Sequence, residues 1–211
     1  MSGTAPEEEA GQHYPESSAH PAASTQNDGD CRAFSIATTL ATPVDSRFME
    51  PVEIRAARDD DGDELIVLIG AVFDEYPGCV LDVDGEMPEL RAIASAFNAA
   101  SGRFWVAEQA GRLVACAGLT PAVAHGGVEL RKLYVARTAR RRGLGSHLCG
   151  LVESEGRQRN ASFLELWTDT RFRDAHRLYE RLGYVRLPET RELHDKSATV
   201  EYHYRKELRP A

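Results

Sequence analysis

Cysteine is scarce and scattered: the 211-residue chain has four, Cys31, Cys79, Cys116 and Cys149, with no C-x-x-C pair and no histidine at ligand spacing. That arrangement excludes a disulfide framework and a zinc ribbon, and no metal is expected. Long apolar runs are missing too. The longest, from Leu65 to Val72, is far short of a bilayer span. The first residues, MSGTAPEEEAG, are acidic where a secretory leader is basic and then apolar. A soluble, cytoplasmic protein with no membrane partner is expected. There is no Gly-Lys-Ser/Thr for a nucleoside-triphosphate loop, and no internal repeat. Net positive charge is lacking as well. A formal charge of −8, without exposed-aromatic motifs, argues against nucleic acid as a partner.

What is present fills one domain of ordinary size plus extra chain. Residues 1–50 are mainly Ala, Ser, Thr, Pro, Gly and Glu with no sustained period. They cannot bury enough apolar surface to offset their ordering entropy, so they read as a disordered acidic tail ahead of a folded domain over 51–209. Charge is divided within that domain: residues 51–100 hold 12 acidic and 3 basic groups, residues 101–211 hold 13 and 20. The division suits a C-terminal half that receives an anion, or else a set of solvated helix faces.

The folded part opens with a short strand at Val52 to Ala57. Asp59 to Asp63 then start a helix through Leu65, Leu68, Ile69 and Val72 that breaks at Tyr76-Pro-Gly78. A second helix covers roughly Pro88 to Ala99. Strands at Phe104–Glu108 and Leu113–Leu119 flank Gln109-Ala-Gly-Arg112, whose glycine marks a tight hairpin. A strand at Val128–Val135 precedes a helix with Leu144, Leu148, Leu151 and Val152 on one stripe. A strand at Ser162–Trp167 precedes a helix with Ala175, Leu178, Tyr179 and Leu182 on one face, stopped by Gly183. Closing strands are read at Tyr184–Leu187 and Thr199–Tyr204. The order β-α-α-β-β-β-α-β-α-β-β predicts an α/β fold, a single mixed, largely antiparallel sheet flanked by helices.

The strand Val128–Val135 changes parity. Val128 and Leu130 share one face, Leu133 and Val135 the other. One extra residue near Arg131-Lys132, a β-bulge, restores a common buried face and frees ladder groups to pair with an extended, amide-bearing ligand. Two half-strands at a sheet edge are the other reading. Directly after it comes Arg140-x-x-Gly143-x-Gly145 and an amphipathic helix. Glycines there let backbone approach a bulky anion, and the N–H groups of Arg141 through Ser146 are first-turn donors suited to a diphosphate. Arg140, Arg141 and Arg142 add charge. The third glycine of a dinucleotide fingerprint is absent, Leu148 standing beyond the pair.

Four pieces in order, Trp105 to Leu119, Leu130-Arg-Lys-Leu-Tyr-Val135, Arg140-x-x-Gly143-x-Gly145 and Ala175-x-x-Leu-Tyr-Glu-Arg-Leu-Gly-Tyr184, resemble the GNAT N-acetyltransferase superfamily over about Val52 to Leu208. The resemblance implies acetyl-CoA as co-substrate. It also implies coenzyme contacts at Leu133, Tyr134, Val135, Arg140, Arg141, Arg142, Gly143, Leu144, Gly145 and Ser146. Where the family often has an asparagine three residues before the helix alanine, this chain has Phe172.

For the chemistry, the resemblance implies Glu129 as general base, usually through water, and Tyr179 as proton donor to the departing sulfur. On the residues alone, Glu129 reads equally as a partner of Arg131, and Tyr179 as a core side chain. A bulge N–H near Leu133 suits the thioester carbonyl. Cys149 reads as a small core residue, so direct attack in a ternary complex is expected over a covalent acetyl-enzyme. His125 and His176 have a suitable intrinsic pKa and only sequence proximity in their favour. The stretch Tyr76 to Glu86 is read as the acceptor loop, with Asp82, Asp84 and Glu86 to attract an ammonium and Tyr76 to pack on its carbons. A polar loop touching nothing is the other reading. The expected partner is a small-molecule or peptide amine, with a homodimer as the default assembly. A non-catalytic acyl-CoA-binding regulatory module, its tail engaging a partner, is the alternative.

Overall fold

The computed structural model describes residues 51–208, so the expected acidic tail over 1–50 lies outside the described residues. Along the chain run β1 (Glu53–Ala56), α1 (Gly62–Phe73), α2 (Ile93–Ala99), β2 (Arg103–Gln109), β3 (Arg112–Pro121) and β4 (Gly127–Val135). They are followed by α3 (Leu144–Gln158), β5 (Phe163–Asp169), α4 (Arg173–Arg181), β6 (Val185–Glu192) and β7 (Val200–Glu207). The strands make one sheet in the order β1-β2-β3-β4-β5-β7-β6. Every neighbouring pair is antiparallel except β4 and β5, which run parallel.

Both sheet faces are covered. On one, Leu65, Ile69, Ile93 and Phe97 of α1 and α2 pack against Phe104, Val106 and Cys116. On the other, Leu144, Leu148, Val152 and Tyr179 of α3 and α4 pack against Ala115, Leu130, Leu164 and Leu166. Burial on both sides explains why Phe104 to Ala107 is continuously apolar rather than alternating. The β2–β3 turn pairs Gln109 with Arg112 and holds Ala110 and Gly111 at φ of 54° and 71°, the left-handed pair that a two-residue hairpin of matching twist needs. Ahead of α1, Arg55 clamps Asp61 at 2.7 and 2.8 Å while the Arg58 amide donates to the same carboxylate at 2.7 Å, tying β1 to the helix start.

Two elements depart from the expected boundaries. The second helix is a 3-10 turn over Pro88–Ala92 before α2 begins, with Ala92 at φ −147° interrupting the α conformation. The closing strand β6 runs on to Glu192 past Pro188, with a register shift between Arg186 and Thr190. A proline cannot donate to a ladder but is tolerated at an edge with a bulge. Nearly all of β6 is exposed, so no apolar alternation marks it.

The parity slip in β4 is a bulge. Cys116 stands opposite Tyr134 and Gly118 opposite Arg131, so one residue of β3 faces two of β4, and Lys132 sits at φ 53°. The bulge returns Leu133 and Val135 to the same core that holds Val128 and Leu130, and sends Tyr134 to the α1 face. It also ends the β4–β5 ladder, which pairs only Gly127–Leu130 with Phe163–Leu166. Beyond that point the facing edges of residues 131–135 and 167–169 share no ladder, and the sheet opens as a V.

Candidate active site

Two cavities meet in the V. The larger, about 480 Å³, runs from Leu133 and Val135 to the turn Gly143–Ser146 and is bounded by Phe172, Arg177 and Arg181 of the α4 region. The smaller, about 130 Å³, is lined by Phe73, Met87, Trp167 and Tyr179 together with the carboxylates Glu86, Asp195 and Glu201. Leu133, Tyr134, Phe172 and Ala175 belong to both walls. The bulge is therefore their junction.

At the turn, Gly143 holds φ 80° and precedes α3, with open space where a Cβ would be. A Cβ at Gly145 would lie 3.1 Å from Leu178, so glycine there lets α4 close on the first turn of α3. The first engaged helical amide is that of His147, which donates to the Gly143 carbonyl at 2.9 Å. Among the described residues the amides of Gly143, Leu144, Gly145 and Ser146 have no protein acceptor. Four donors at a helix N-terminus, beside an open cleft, fit a diphosphate. The residues present therefore fit the coenzyme that the sequence implies.

The three arginines divide. Arg140 lines the cleft with its guanidinium engaged by protein: Nη1 and Nη2 grip Glu75 at 2.7 and 2.6 Å and Nε donates to the Val135 carbonyl at 2.9 Å. Its side chain braces the turn against β4 and the end of α1. Arg141, at φ 62°, lines the cleft. Arg142 reaches Gln109 at 3.4 Å and is not part of the cleft wall. The sequence reading overlooked Arg177 and Arg181, which supply positive charge from the opposite wall. Their signal was arginine at 173, 177 and 181, one face of a helix.

Glu129 lies on β4 between Thr120 of β3 and Glu165 of β5, outside the walls of both cavities. Its side chain is 15% exposed and its nearest cation, Arg131 Nε, is 3.9 Å away, beyond a direct hydrogen bond. Burial raises the pKa of its carboxyl, and Arg131 opposes that more weakly. Tyr179 packs in the core and also reaches a cavity. It is 5% exposed with rings of Tyr184 and Tyr204 beside it, yet it lines the smaller cavity, and its hydroxyl has no hydrogen-bond partner among the described residues. Burial raises its pKa well above that of an ordinary phenol, so it keeps its proton at neutral pH.

Cys149 is fully buried in the α3 core, and desolvation pushes its thiol up to about 12, leaving little thiolate to act as a nucleophile. His176 donates from Nε2 to the Asp169 carbonyl at 2.9 Å, and burial lowers its pKa. Neither His176 nor the exposed His125 lines either of these two cavities. In the expected acceptor loop, Asp82 pairs with Lys196 at 2.6 Å and Asp84 with Arg91 at 2.7 Å, which takes both out of play. Glu86 does line the smaller cavity, whereas Tyr76 packs on Phe172 at 4.6 Å and lines the larger one.

A helix start with free amides, an opened parallel strand pair and a mixed polar and apolar cavity holding an unpartnered phenol fit a diphosphate coenzyme with an extended amide-bearing arm. A model of the acetyltransferase (GNAT) family matches residues 69–184, and the chain belongs to that family. The Xenopus tropicalis protein named probable N-acetyltransferase 14 is 30% identical over 98 residues, 46% of this chain and 48% of that protein. Aminoalkylphosphonate N-acetyltransferase of Salmonella typhimurium is 43% identical over 56 residues, 26% of this chain and 36% of that protein. The chain thus spans less than half the length of the curated relatives it matches. Among solved structures, a GNAT-family acetyltransferase from Staphylococcus aureus Mu50 superposes with TM-score 0.65 at 20% identity, covering 75% of this chain and all of that one. A Salmonella typhimurium protein solved with its cofactor acetyl-CoA gives 0.58 at 16%, covering 76% and 96%.

Proposed function

We propose that this protein moves an acetyl group from acetyl-CoA to the nitrogen of an amine, with both substrates bound together. The observation that carries this reading is the shared wall at the bulge. It joins a cleft with four unpaired amides to a cavity holding an unpartnered, proton-bearing Tyr179. In this reading the amides of Gly143 to Ser146 hold the diphosphate and the freed edge of Leu133 to Val135 aligns the pantetheine arm. Glu129 accepts the proton of the amine through water, its raised pKa making it a better base than an ordinary glutamate. A backbone N–H near Leu133 polarises the carbonyl. The amine nitrogen bonds to the carbonyl carbon as the carbon–sulfur bond breaks, and Tyr179 gives its proton to the departing sulfur. The buried thiol of Cys149 leaves no support for acetylation of that cysteine.

Release of free thiol from acetyl-CoA against a panel of amines tests the reading. Saturation in both substrates with intersecting double-reciprocal lines is expected. Parallel lines indicate a covalent acetyl-enzyme, and coenzyme binding without turnover of any amine indicates a binding module.

A further inference from the structure

The face of the sheet turned away from α3 and α4 carries a pair of acids that a ladder ordinarily avoids. Val128 and Leu130 of β4, like Leu164 and Leu166 of β5, point into the core under those helices. Side chains alternate along a strand, so Glu129 and Glu165 both point to the other face. The parallel ladder sets these two residues directly against each other. Both are largely withdrawn from water, with side chains 15% and 10% exposed. Like charges opposed across a ladder repel, and burial strengthens the repulsion, so the two cannot both ionise without cost.

The two acids are not equivalent. Glu165 accepts a hydrogen bond from Nε2 of His203 on β7 at 3.3 Å. That imidazole is held in place: it stacks on Trp167, with centroids 4.3 Å apart and planes 6° from parallel, and its Nδ1 is 3.9 Å from Glu189 of β6. The Glu129 side chain has no hydrogen-bond partner among the described residues, Arg131 Nε being 3.9 Å away.

The remaining charges on this face are paired with one another. Arg191 of β6 holds Glu201 of β7 at 2.5 Å, Arg205 beyond His203 on β7 holds Glu207 at 2.9 Å, and β3 sets the uncharged Thr120 opposite Glu129. Where two acids share a site and only one has a partner, the partnered acid ionises and the other keeps a proton to higher pH. The direction found for Glu129 agrees. Its carboxyl is raised, first by burial, with Glu165 and Glu201 adding to the shift against Arg131 and Arg191.

Resting on the acetyl-transfer reading with Glu129 as base, we propose that Glu165 and His203 are positioning residues for that base. His203 keeps Glu165 ionised, and the Glu165 charge gives Glu129 its hold on the proton taken from the amine. No proton passes through Glu165 or His203. The amine loses one proton to Glu129 by way of water, and Glu129 returns it to solvent before the next turnover.

Carbon NMR of the glutamate carboxyls of the full chain, assigned with Glu129→Gln and Glu165→Gln, follows both acids through a pH titration. In the wild type, Glu165 is expected to stay ionised across the range in which Glu129 takes up its proton, a result that stands whether or not the variants fold. In Glu165→Gln the Glu129 midpoint should fall by about one pH unit, and the ascending limb of kcat should move down with it. In His203→Gln, which keeps a donor but removes the imidazole, part of the proton should pass to Glu165. Calorimetric titration with CoA reports whether each variant is folded. Protonation of Glu165 before Glu129 in the wild type, or an unmoved Glu129 midpoint and limb in Glu165→Gln, overturns the role of the pair while leaving acetyl transfer and its base standing. Undiminished turnover by Glu129→Gln removes the base, and the role of the pair with it.

Discussion

The two cavities share four wall residues and differ in charge. The larger presents free amides and the guanidinium groups of Arg140, Arg141, Arg177 and Arg181 against the single carboxylate Asp174, while the smaller presents Glu86, Asp169, Asp195 and Glu201 against the single ammonium of Lys132. In the proposed reading, the amides and arginines on one side of the bulge favour the anionic coenzyme there and leave the other side to the acceptor. The difference also separates roles. In the proposed reading, positive charge on the coenzyme side is positioning, because the amides define the geometry. In the proposed reading the chemistry lies beside the shared wall, with Leu133 on both cavities and Tyr179 on the smaller one.

That comparison can be broken in order of effect. Tyr179→Phe removes the proposed proton donor on the smaller cavity, and kcat is expected to fall about 10²-fold or more at neutral pH while CoA affinity by calorimetry holds. A loss of melting temperature without a rate loss would return Tyr179 to the core. Glu129→Gln should also lower kcat by about 10²-fold. A base works only when deprotonated, so the wild-type rate rises with pH through a pKa displaced above the usual glutamate value of about 4.3, and the variant should lose that limb. Glu201→Gln provides the contrast, since Glu201 lies on the cavity wall but already pairs with Arg191.

Away from both cavities, Asp61→Asn should leave ligand binding intact and cost about 1.5–3 kcal/mol in urea melts at neutral pH. The Arg55 hydrogen bonds hold the Asp61 carboxyl below its ordinary range. Its contribution is therefore present above the unfolded value near about 3.9 and is lost as pH falls through the folded value. The variant should accordingly flatten the acid limb of stability. The smallest expected effect is that of Gly143→Ala on fold, about 1–2 kcal/mol for a left-handed backbone, accompanied by weaker CoA binding as the added methyl enters the cleft.

How much the sequence disclosed depended on whether a residue's role is local. The bulge was legible because apolar parity in Val128 to Val135 cannot be reconciled with a regular strand. The anion turn was legible because its glycines and donors are consecutive. The commitment of Arg140 to Glu75 joins residues 65 positions apart and left no local trace. The same holds for the acceptor loop. Asp82, Asp84 and Glu86 are alike in sequence, and only the fold gives Lys196 to the first, Arg91 to the second, and a cavity to the third. Strand β6 was shortened because it is exposed on both faces and interrupted by Pro188.

The central claim is that the backbone amides of Gly143 to Ser146 receive the diphosphate of a coenzyme whose arm lies along the opened edge of β4. Amide NMR spectra recorded during titration with CoA test it most directly. The account predicts the largest shifts at Gly143 to Ser146 and at Leu133 to Val135. Binding that leaves those amides unmoved, or no binding at all, would contradict it.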